Sequence, residues 1–198
     1  ELWKRGARMA REQLFEADPL ASLELHLRPE ESVVRLRWID GAWVEDVARL
    51  KVAARSFAEG SMRVCFHAKK MSSRATMRHA ALKSKHAEWR YQRNYVLKTY
   101  KPEKARGGGA RLRRMLEVDV VMQATSKRLA GRYNARLREL YGRGEFDTRA
   151  PRPMRLKCVD MLEASLVCFT QRPGRPCYFM EAYVEGEFLK HNGNAGYV

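Results

Sequence analysis

The feature that most constrains the fold is one long helical pattern that lies between two groups of short alternating segments. From Glu117 to Leu140, the residues that recur every three or four positions are Val118, Val121, Met122, Thr125, Leu129, Tyr133 and Leu137. This spacing predicts a single long helix, and Gly142 is a typical helix stop. Because strand-like segments precede and follow it, we predict an α+β lobe with a mostly antiparallel sheet and one long helix.

The strand-like segments are read from their alternation of apolar and polar residues. In the sequence "SVVRLRWIDGAW", Asp40 and Gly41 are a strong tight-turn signal and predict a hairpin. Further strands are predicted in "MRVCFHA" from Met62, in "NYVLKTY" from Asn94, in "LKCVDMLEASLVCF" and in "CYFMEAYV". The basic residues 101–116 contain three successive glycines and are predicted to be a flexible loop. No Gly-Lys-Ser/Thr follows these glycines, so the loop is not a Walker phosphate loop.

Two basic side chains on predicted strands are candidates for binding an anion. Lys98 shares a strand face with Val96 and Tyr100, and a lysine among apolar neighbours either extends to the surface or pairs with an anion. Arg63 shares a face with Cys65 and His67, opposite to the apolar face of its strand, and points away from the predicted core. An ion pair across the sheet is the structural alternative for Arg63.

The net charge of the chain indicates which classes of molecule it attracts. Lysine and arginine total 39 against 23 acidic residues, a formal net charge of +16 that attracts polyanions. A basic nucleic-acid-binding domain is therefore one open interpretation, although the aromatic stacking pattern of common RNA-binding modules is missing. No apolar run approaches a membrane span. The four cysteines form no C-x-x-C pair and predict reduced thiols in a cytoplasmic protein.

The first fifteen residues, "ELWKRGARMAREQLF", predict a basic amphipathic helix. Trp3, Ala7, Ala10 and Leu14 fall on one side, and arginine and lysine side chains cover much of the rest. Such a helix suits a calmodulin-type groove or a membrane surface, and the alternative is an ordinary helix packed against its own domain. The initial Glu leads us to expect that the sequence is a piece of a longer protein.

Five short motifs, taken together and in order, resemble the α-kinases, a family of atypical serine/threonine protein kinases. They are "SFAEGSMRVCF", "YVLKTY", "DVVMQ…YN", "FMEAYVEGEF" and "KHNGNAGYV", spread over residues 45–198. "LWKRGARMA" followed by "DPL", together with "RPGRP", resembles the branch of this family that is targeted by calmodulin and acts on translation elongation factor 2. The resemblance implies a protein-kinase-like N-lobe that binds ATP, with calmodulin and elongation factor 2 as partners and no membrane.

The resemblance also assigns roles to single residues. Lys98 matches the lysine that pairs the α- and β-phosphates of ATP, and Arg63 matches an arginine that contacts phosphate or orders the turn at Gly60. Glu181, through its backbone carbonyl, and Val184, through its backbone N–H, match the hinge that binds adenine. The remaining implied ATP-binding residue is Lys190. Thr125 stands where the related branch has an acid, so the partner of Lys98 is left open.

The implied organisation has three parts. Residues 1–15 are a calmodulin-targeting helix, with Trp3, Ala7 and Ala10 in the groove, residues 16–184 are the N-lobe, and residues 185–198 leave the hinge and begin the C-lobe. The family's catalytic aspartates, its Mg²⁺ ligands and its structural zinc site are expected beyond residue 198, and the cysteines here are not read as zinc ligands. A pseudokinase that binds nucleotide without transferring phosphate is an alternative.

Overall fold

The computed structural model describes residues 19–71, 93–104, 107–142 and 158–186. Two 3₁₀ turns, Ala21–Leu23 and Leu25–Leu27, precede the first strand. The strands are β1 (Glu31–Ile39), β2 (Ala42–Val52), β3 (Ala58–Glu59), β4 (Arg63–Met71), β5 (Arg93–Tyr100), β6 (Ala164–Phe169) and β7 (Cys177–Ala182), and the helix is α1 (Gly108–Gly142).

The sheet closes on itself. Its strand order is β2-β1-β6-β7-β5-β4-β3, every pairing is antiparallel, and β2 also pairs with β4. Six strands therefore form a barrel, and the short β3 is added outside it on β4. The predicted α+β class and antiparallel sheet are confirmed, and so is the hairpin, in which Asp40 and Gly41 both have positive φ, of 49° and 85°.

The barrel encloses the main hydrophobic core. Side chains alternate between the two faces of a strand, so every second residue points inward. The buried interior cluster consists of Val33, Ala48, Leu50, Val52, Ala68, Leu97, Val167, Phe169 and Met180. The outward residues of the same strands are consequently free to pack against α1 or to form a site.

Two arginine–carboxylate pairs each include one residue of β1, and they lie toward opposite ends of its interior face. Arg35 donates from Nε to Asp46 Oδ1 at 2.7 Å and also pairs with Oδ2 of the same carboxylate. Farther along the chain, Arg172 makes two 2.6 Å bonds to Glu31, and its guanidinium lies 3.8 Å from the ring centre of Phe169. Paired guanidinium and carboxylate groups can be half-buried because each satisfies the other.

The helix starts earlier than its sequence pattern indicated. It begins at Gly108, so the prediction of a flexible loop through residue 116 is wrong for its second half. Gly107 and Gly108 take positive φ values of 116° and 83° at this boundary. The residues that follow are mostly Ala, Leu, Arg and Met, which are strong helix formers, and they outweigh the cost of glycines confined to the first turn.

The helix also buries a different face from the one expected. Leu116 and Val120 are fully buried against Leu166 and Phe179 on the outer face of the sheet. The periodic residues used to predict the helix include Val118, Met122, Leu129 and Tyr133, and these are half or more exposed. Two apolar stripes therefore run along α1, and only contact with the sheet decides which one is buried.

Two further expectations are corrected. The strand predicted from residue 156 begins only at Ala164, because the segment before it bonds to α1 instead: Asn134 bonds both the N–H and the C=O of Val159, at 2.9 Å and 2.6 Å. Cys168 and Cys177 face each other on β6 and β7 and form a disulfide, so the prediction of four reduced thiols is wrong for this pair. Among the described residues, no helix combines the length and the apolarity needed to cross a membrane.

Candidate functional site

The outer face of β4 and β5 carries three successive cross-strand pairs beside α1. The pairs are Arg63 with Tyr100, Cys65 with Lys98, and His67 with Val96. All six side chains point away from the barrel interior because they alternate with the inward residues of the same strands. The three pairs follow one another along the two strands, and we refer to these six residues as the outer row.

Lys98 is held by a carboxylate from the next strand. Its Nζ forms an ion pair with Glu181 on β7, and the two side chains are 28% and 13% exposed. Lys98 lies opposite Phe179 and Glu181 lies opposite Val96, so the contact is diagonal. Glu181 is therefore not a solvated acid at a strand end. It is the acidic partner of Lys98 that the sequence left open, and the signal for it was its shared face with Phe179 on β7.

Arg63 is held by a residue of the helix. Its guanidinium pairs with Asp119 at 2.8 Å and donates to the hydroxyl of Tyr100 at 3.0 Å, and that hydroxyl donates to Asp119 at 2.9 Å. Burial, as the largest cause, raises the pKa of Tyr100, which keeps the hydroxyl protonated as a donor. The ion pair of Arg63 therefore runs to α1, while its contact across the sheet is a hydrogen bond to a neutral phenol.

Asp119 was missed as a site residue because the sequence placed it at the start of the helix. With the helix beginning at Gly108, Asp119 lies well inside it and on the buried face with Leu116 and Val120. A carboxylate on an otherwise apolar helix face needs a partner. That spacing, three residues after Leu116 and next to Val120, was the available signal.

The turn between β3 and β4 lies next to Arg63. The Gly60 N–H donates to the carbonyl of Arg63 at 2.9 Å, and the Lys101 N–H donates to the carbonyl of Met62 at 3.0 Å. Lys101 also pairs with Glu59. A side-chain carbon added at Gly60 would meet no atom within 4 Å, so the surroundings of this glycine are open.

Aromatic rings gather at the other end of the outer row. The ring of Phe57 stacks on His67 with the centroids 3.7 Å apart, and Tyr183 meets His67 edge-on at 5.4 Å. Burial lowers the pKa of His67 and raises the pKa of the Cys65 thiol. Both groups are therefore neutral near pH 7, and Lys98 supplies the positive charge in the middle of the row.

The predicted site residues divide into two groups. Lys98, Arg63, Gly60 and Glu181 lie within or next to the outer row, whereas Val184 is 63% exposed just beyond β7. Lys190 and the predicted calmodulin-binding residues Trp3, Ala7 and Ala10 lie outside the described residues. In the part of the chain that the structure describes, no group of three His, Cys, Asp or Glu side chains could hold a metal ion.

Curated relatives match all or most of the chain. It is 29% identical over 200 residues to eukaryotic elongation factor 2 kinase of Homo sapiens and also 29% identical to that of Caenorhabditis elegans. Alpha-protein kinase 1 of Dictyostelium discoideum is 26% identical over 88% of the chain. The chain spans 23% of the length of the human protein, so these matches concern one part of each relative.

Solved structures share the fold. A catalytic-domain mutant of myosin heavy chain kinase A superposes with a TM-score of 0.60 and 19% identity, covering 87% of this chain and 68% of that one. The alpha-kinase domain of the same enzyme in complex with AMP-PNP gives a TM-score of 0.58 at 20% identity, covering 87% and 68%. At this identity the likeness concerns the fold alone.

A sequence model of a protein family completes the comparison. The model described as the alpha-kinase family matches residues 58–198, which include β3 to β7, the outer row and α1. This match covers well over half of the chain and contains the motifs "YVLKTY" and "FMEAYVEGEF" that carry Lys98 and Glu181. The chain belongs to the alpha-kinase family.

Proposed function

We propose that this chain is the ATP-binding part of an α-type serine/threonine protein kinase. The observation that carries the proposal is the ion pair between Lys98 and Glu181 on the outer face of the sheet, in a chain of this family. A lysine ammonium that is fixed by a carboxylate is a point charge held ready for the phosphates of a nucleotide. The alpha-kinase domain structures with AMP-PNP and with ADP support a nucleotide as the ligand.

In the proposed complex the nucleotide lies along the outer row. Its α- and β-phosphates contact Lys98, and Arg63 with the turn at Gly60 lies toward the phosphate end. The adenine binds the backbone of the hinge: the Glu181 carbonyl accepts a hydrogen bond from the adenine amino group, and the Val184 N–H donates one to the ring. Lys190 is the further basic residue assigned to this site.

The chemistry assigned to these residues is binding and orientation. Phosphoryl transfer relies on Mg²⁺ to neutralise charge on the phosphates. The described residues offer no fitting set of metal ligands, so no step of the reaction is assigned to a metal site among them.

The proposed domain organisation is a calmodulin-targeting helix at 1–15, an N-lobe at 16–184, and a hinge exit with the start of a C-lobe at 185–198. The structural zinc site and the catalytic aspartates are assigned to the C-lobe.

The proposed partners follow the relatives. Elongation factor 2 is proposed as the protein substrate, because the relatives with 28–29% identity over the whole chain are elongation factor 2 kinases. Calmodulin is proposed as the regulator that binds residues 1–15, on the strength of the basic amphipathic pattern led by Trp3. Both partners place the protein in the cytoplasm.

The test of the proposal is the substitution Lys98→Met. ATP binding is measured by titration calorimetry on this chain, and phosphorylation of elongation factor 2 is measured on the longer protein that includes the C-lobe. We expect Lys98→Met to lower both by at least tenfold in a protein that is still folded at the assay temperature, because loss of the ion pair with Glu181 lowers stability by only about 1–3 kcal/mol. The control is Lys104→Met, an exposed lysine outside the site.

Three outcomes would contradict the proposal. Wild-type phosphorylation by the Lys98→Met protein would remove the assigned role of the lysine. Nucleotide binding by the longer protein without any phosphorylation would identify a pseudokinase instead. Salt-dependent binding of RNA that is unaffected by Lys98→Met, together with no ATP binding, would favour the nucleic-acid-binding interpretation of the +16 charge.

A further inference from the structure

The pair formed by Phe57 and His67 has no role in the function proposed so far. The two rings stack with centroids 3.7 Å apart and an angle of 17° between their planes. His67 is 9% exposed, whereas Phe57, which covers it, is 46% exposed. One face of a buried imidazole is therefore covered by a ring that is itself half in solvent.

His67 is an unusual residue for this position, because its polar atoms are not all satisfied. Its Nδ1 is buried and has no hydrogen-bond partner within the described ranges. A buried nitrogen without a partner is unfavourable, and a ligand that offered one would bind there with an added hydrogen bond. Burial also lowers the pKa of His67, so the ring is neutral and can present either a donor or an acceptor at Nδ1.

The place of His67 in the outer row fits the base of a nucleotide. His67 and Val96 form the cross-strand pair next to that of Cys65 and Lys98. Same-face neighbours on a strand are about 7 Å apart, so a planar group on His67 would lie one step from the lysine ammonium. Tyr183, beyond the end of β7, closes the same end of the row.

Phe57 can leave His67 without unfolding the sheet. Its backbone N–H donates to the carbonyl of Cys65 at 3.0 Å, which fixes the main chain beside β4. The ring is held by the stacking contact and is otherwise half-exposed, so a change of rotamer is enough to uncover the imidazole. An aromatic ligand can therefore replace the Phe57 ring on His67.

We propose that Phe57 and the purine base of the nucleotide compete for the same face of His67. The base stacks on the imidazole and displaces the Phe57 ring. Phe57 thus lowers the affinity for nucleotide, and His67 contacts the face of the base whose edge binds the hinge. This inference rests on the proposed function, because it takes Lys98 as the phosphate-binding end of the row.

Calorimetric titration of the chain with ATP and with inorganic tripolyphosphate tests the competition. Phe57→Ala should bind ATP about two- to tenfold more tightly than the wild type, since one aromatic stacking contact no longer opposes the base. Phe57→Trp, which offers a larger ring, should bind ATP more weakly. Both variants should bind tripolyphosphate as the wild type does. The matched control is Tyr133→Ala, the removal of a half-exposed ring on α1.

A second variant tests the part played by His67. In the Phe57→Ala background, His67→Leu should weaken ATP binding and leave tripolyphosphate binding unchanged. Weaker ATP binding by Phe57→Ala alone would show that Phe57 supports the base, and would overturn the competition while leaving the proposed function intact. Absence of Lys98-dependent ATP binding in every variant would remove the proposed function and this inference together.

Discussion

Lys98 on β5 and Glu181 on β7 are ion-paired although they are not opposite each other in the sheet. The residue opposite Lys98 is Phe179, and the residue opposite Glu181 is Val96. Diagonal neighbours on one sheet face are within reach of long side chains, and both of these are long. Because Glu181 belongs to the strand that leads into the predicted hinge, the position of the lysine is tied to that of the hinge.

Glu181→Gln should weaken ATP binding, because the Glu181 carboxylate holds the Lys98 side chain in place. The amide keeps the shape of the side chain but removes the charge, so the ammonium loses its partner in a partly buried place. We expect about tenfold weaker ATP binding and about 1–3 kcal/mol lower stability. Calorimetry and urea unfolding provide the two measurements, with Glu163→Gln, an exposed acid, as the control. An unchanged ATP dissociation constant would show that Lys98 is positioned without Glu181.

Asp119 and Arg63 should be energetically coupled through Tyr100. The three polar groups contact one another at 2.8–3.0 Å, so removing one leaves the other two incompletely paired. A double-mutant cycle of Asp119→Asn and Arg63→Gln should give a coupling energy of about 1–2 kcal/mol in unfolding free energy. Pairing Asp160→Asn with Arg63→Gln serves as the control and should be additive. Additive effects in the first cycle would contradict the coupling.

Asp46 should make part of the stability of the barrel depend on acidic pH. The hydrogen bonds from Arg35, as the largest cause, lower the pKa of Asp46 in the folded protein below its ordinary value. The contribution is therefore fully present above the unfolded-state pKa, near pH 4, and is lost as the pH falls through the lower folded-state pKa. Because Asp46 is one-third exposed, the effect is modest.

The measurement for Asp46 is urea unfolding at a series of pH values from 6 down to the acid limit of folding. Asp46→Asn should lose stability at pH 6 and should show a shallower fall below about pH 4 than the wild type. Asp160→Asn controls for the loss of one carboxylate from the surface. Parallel acid curves for Asp46→Asn and the wild type would show that the pair with Arg35 contributes no pH-dependent stability.

Residues 1–15 should bind calcium-loaded calmodulin as a helix led by Trp3. Burial of this indole in an apolar pocket should shift its fluorescence to the blue, while the surrounding basic residues speed association at low salt. The measurement is a titration of the peptide 1–15 with calmodulin, with and without calcium. Measured by calorimetry, since the variant peptide has no indole, Trp3→Ala should weaken binding by at least tenfold, and Leu14→Ala should weaken it less. A fluorescence spectrum that does not change with calmodulin would remove this partner.

Local sequence patterns determined individual strands and a hairpin, and they identified the basic residue of each ion pair in the site. The alternation in "YVLKTY" placed Lys98 on one face of a strand, the alternation in "MRVCFHA" placed Arg63 likewise, and Asp40-Gly41 determined the hairpin. These features depend on neighbours two to four residues apart, and such distances are fixed by backbone geometry.

Tertiary contacts decided how the strands and the helix are arranged and which charged residues pair. The pairing of β2 with β4 closes the barrel, and it joins residues about twenty positions apart. The apolar pattern of either strand does not indicate which other strand it pairs with. Glu181 meets Lys98 only after β7 has paired with β5, and Asp119 meets Arg63 only after α1 has packed against the outer face of the sheet. The apolar pattern of α1 offered two stripes, and the sheet selected the one with Leu116. Which of several compatible surfaces is buried is settled by packing, because the gain in burial is collective and is absent from any single segment.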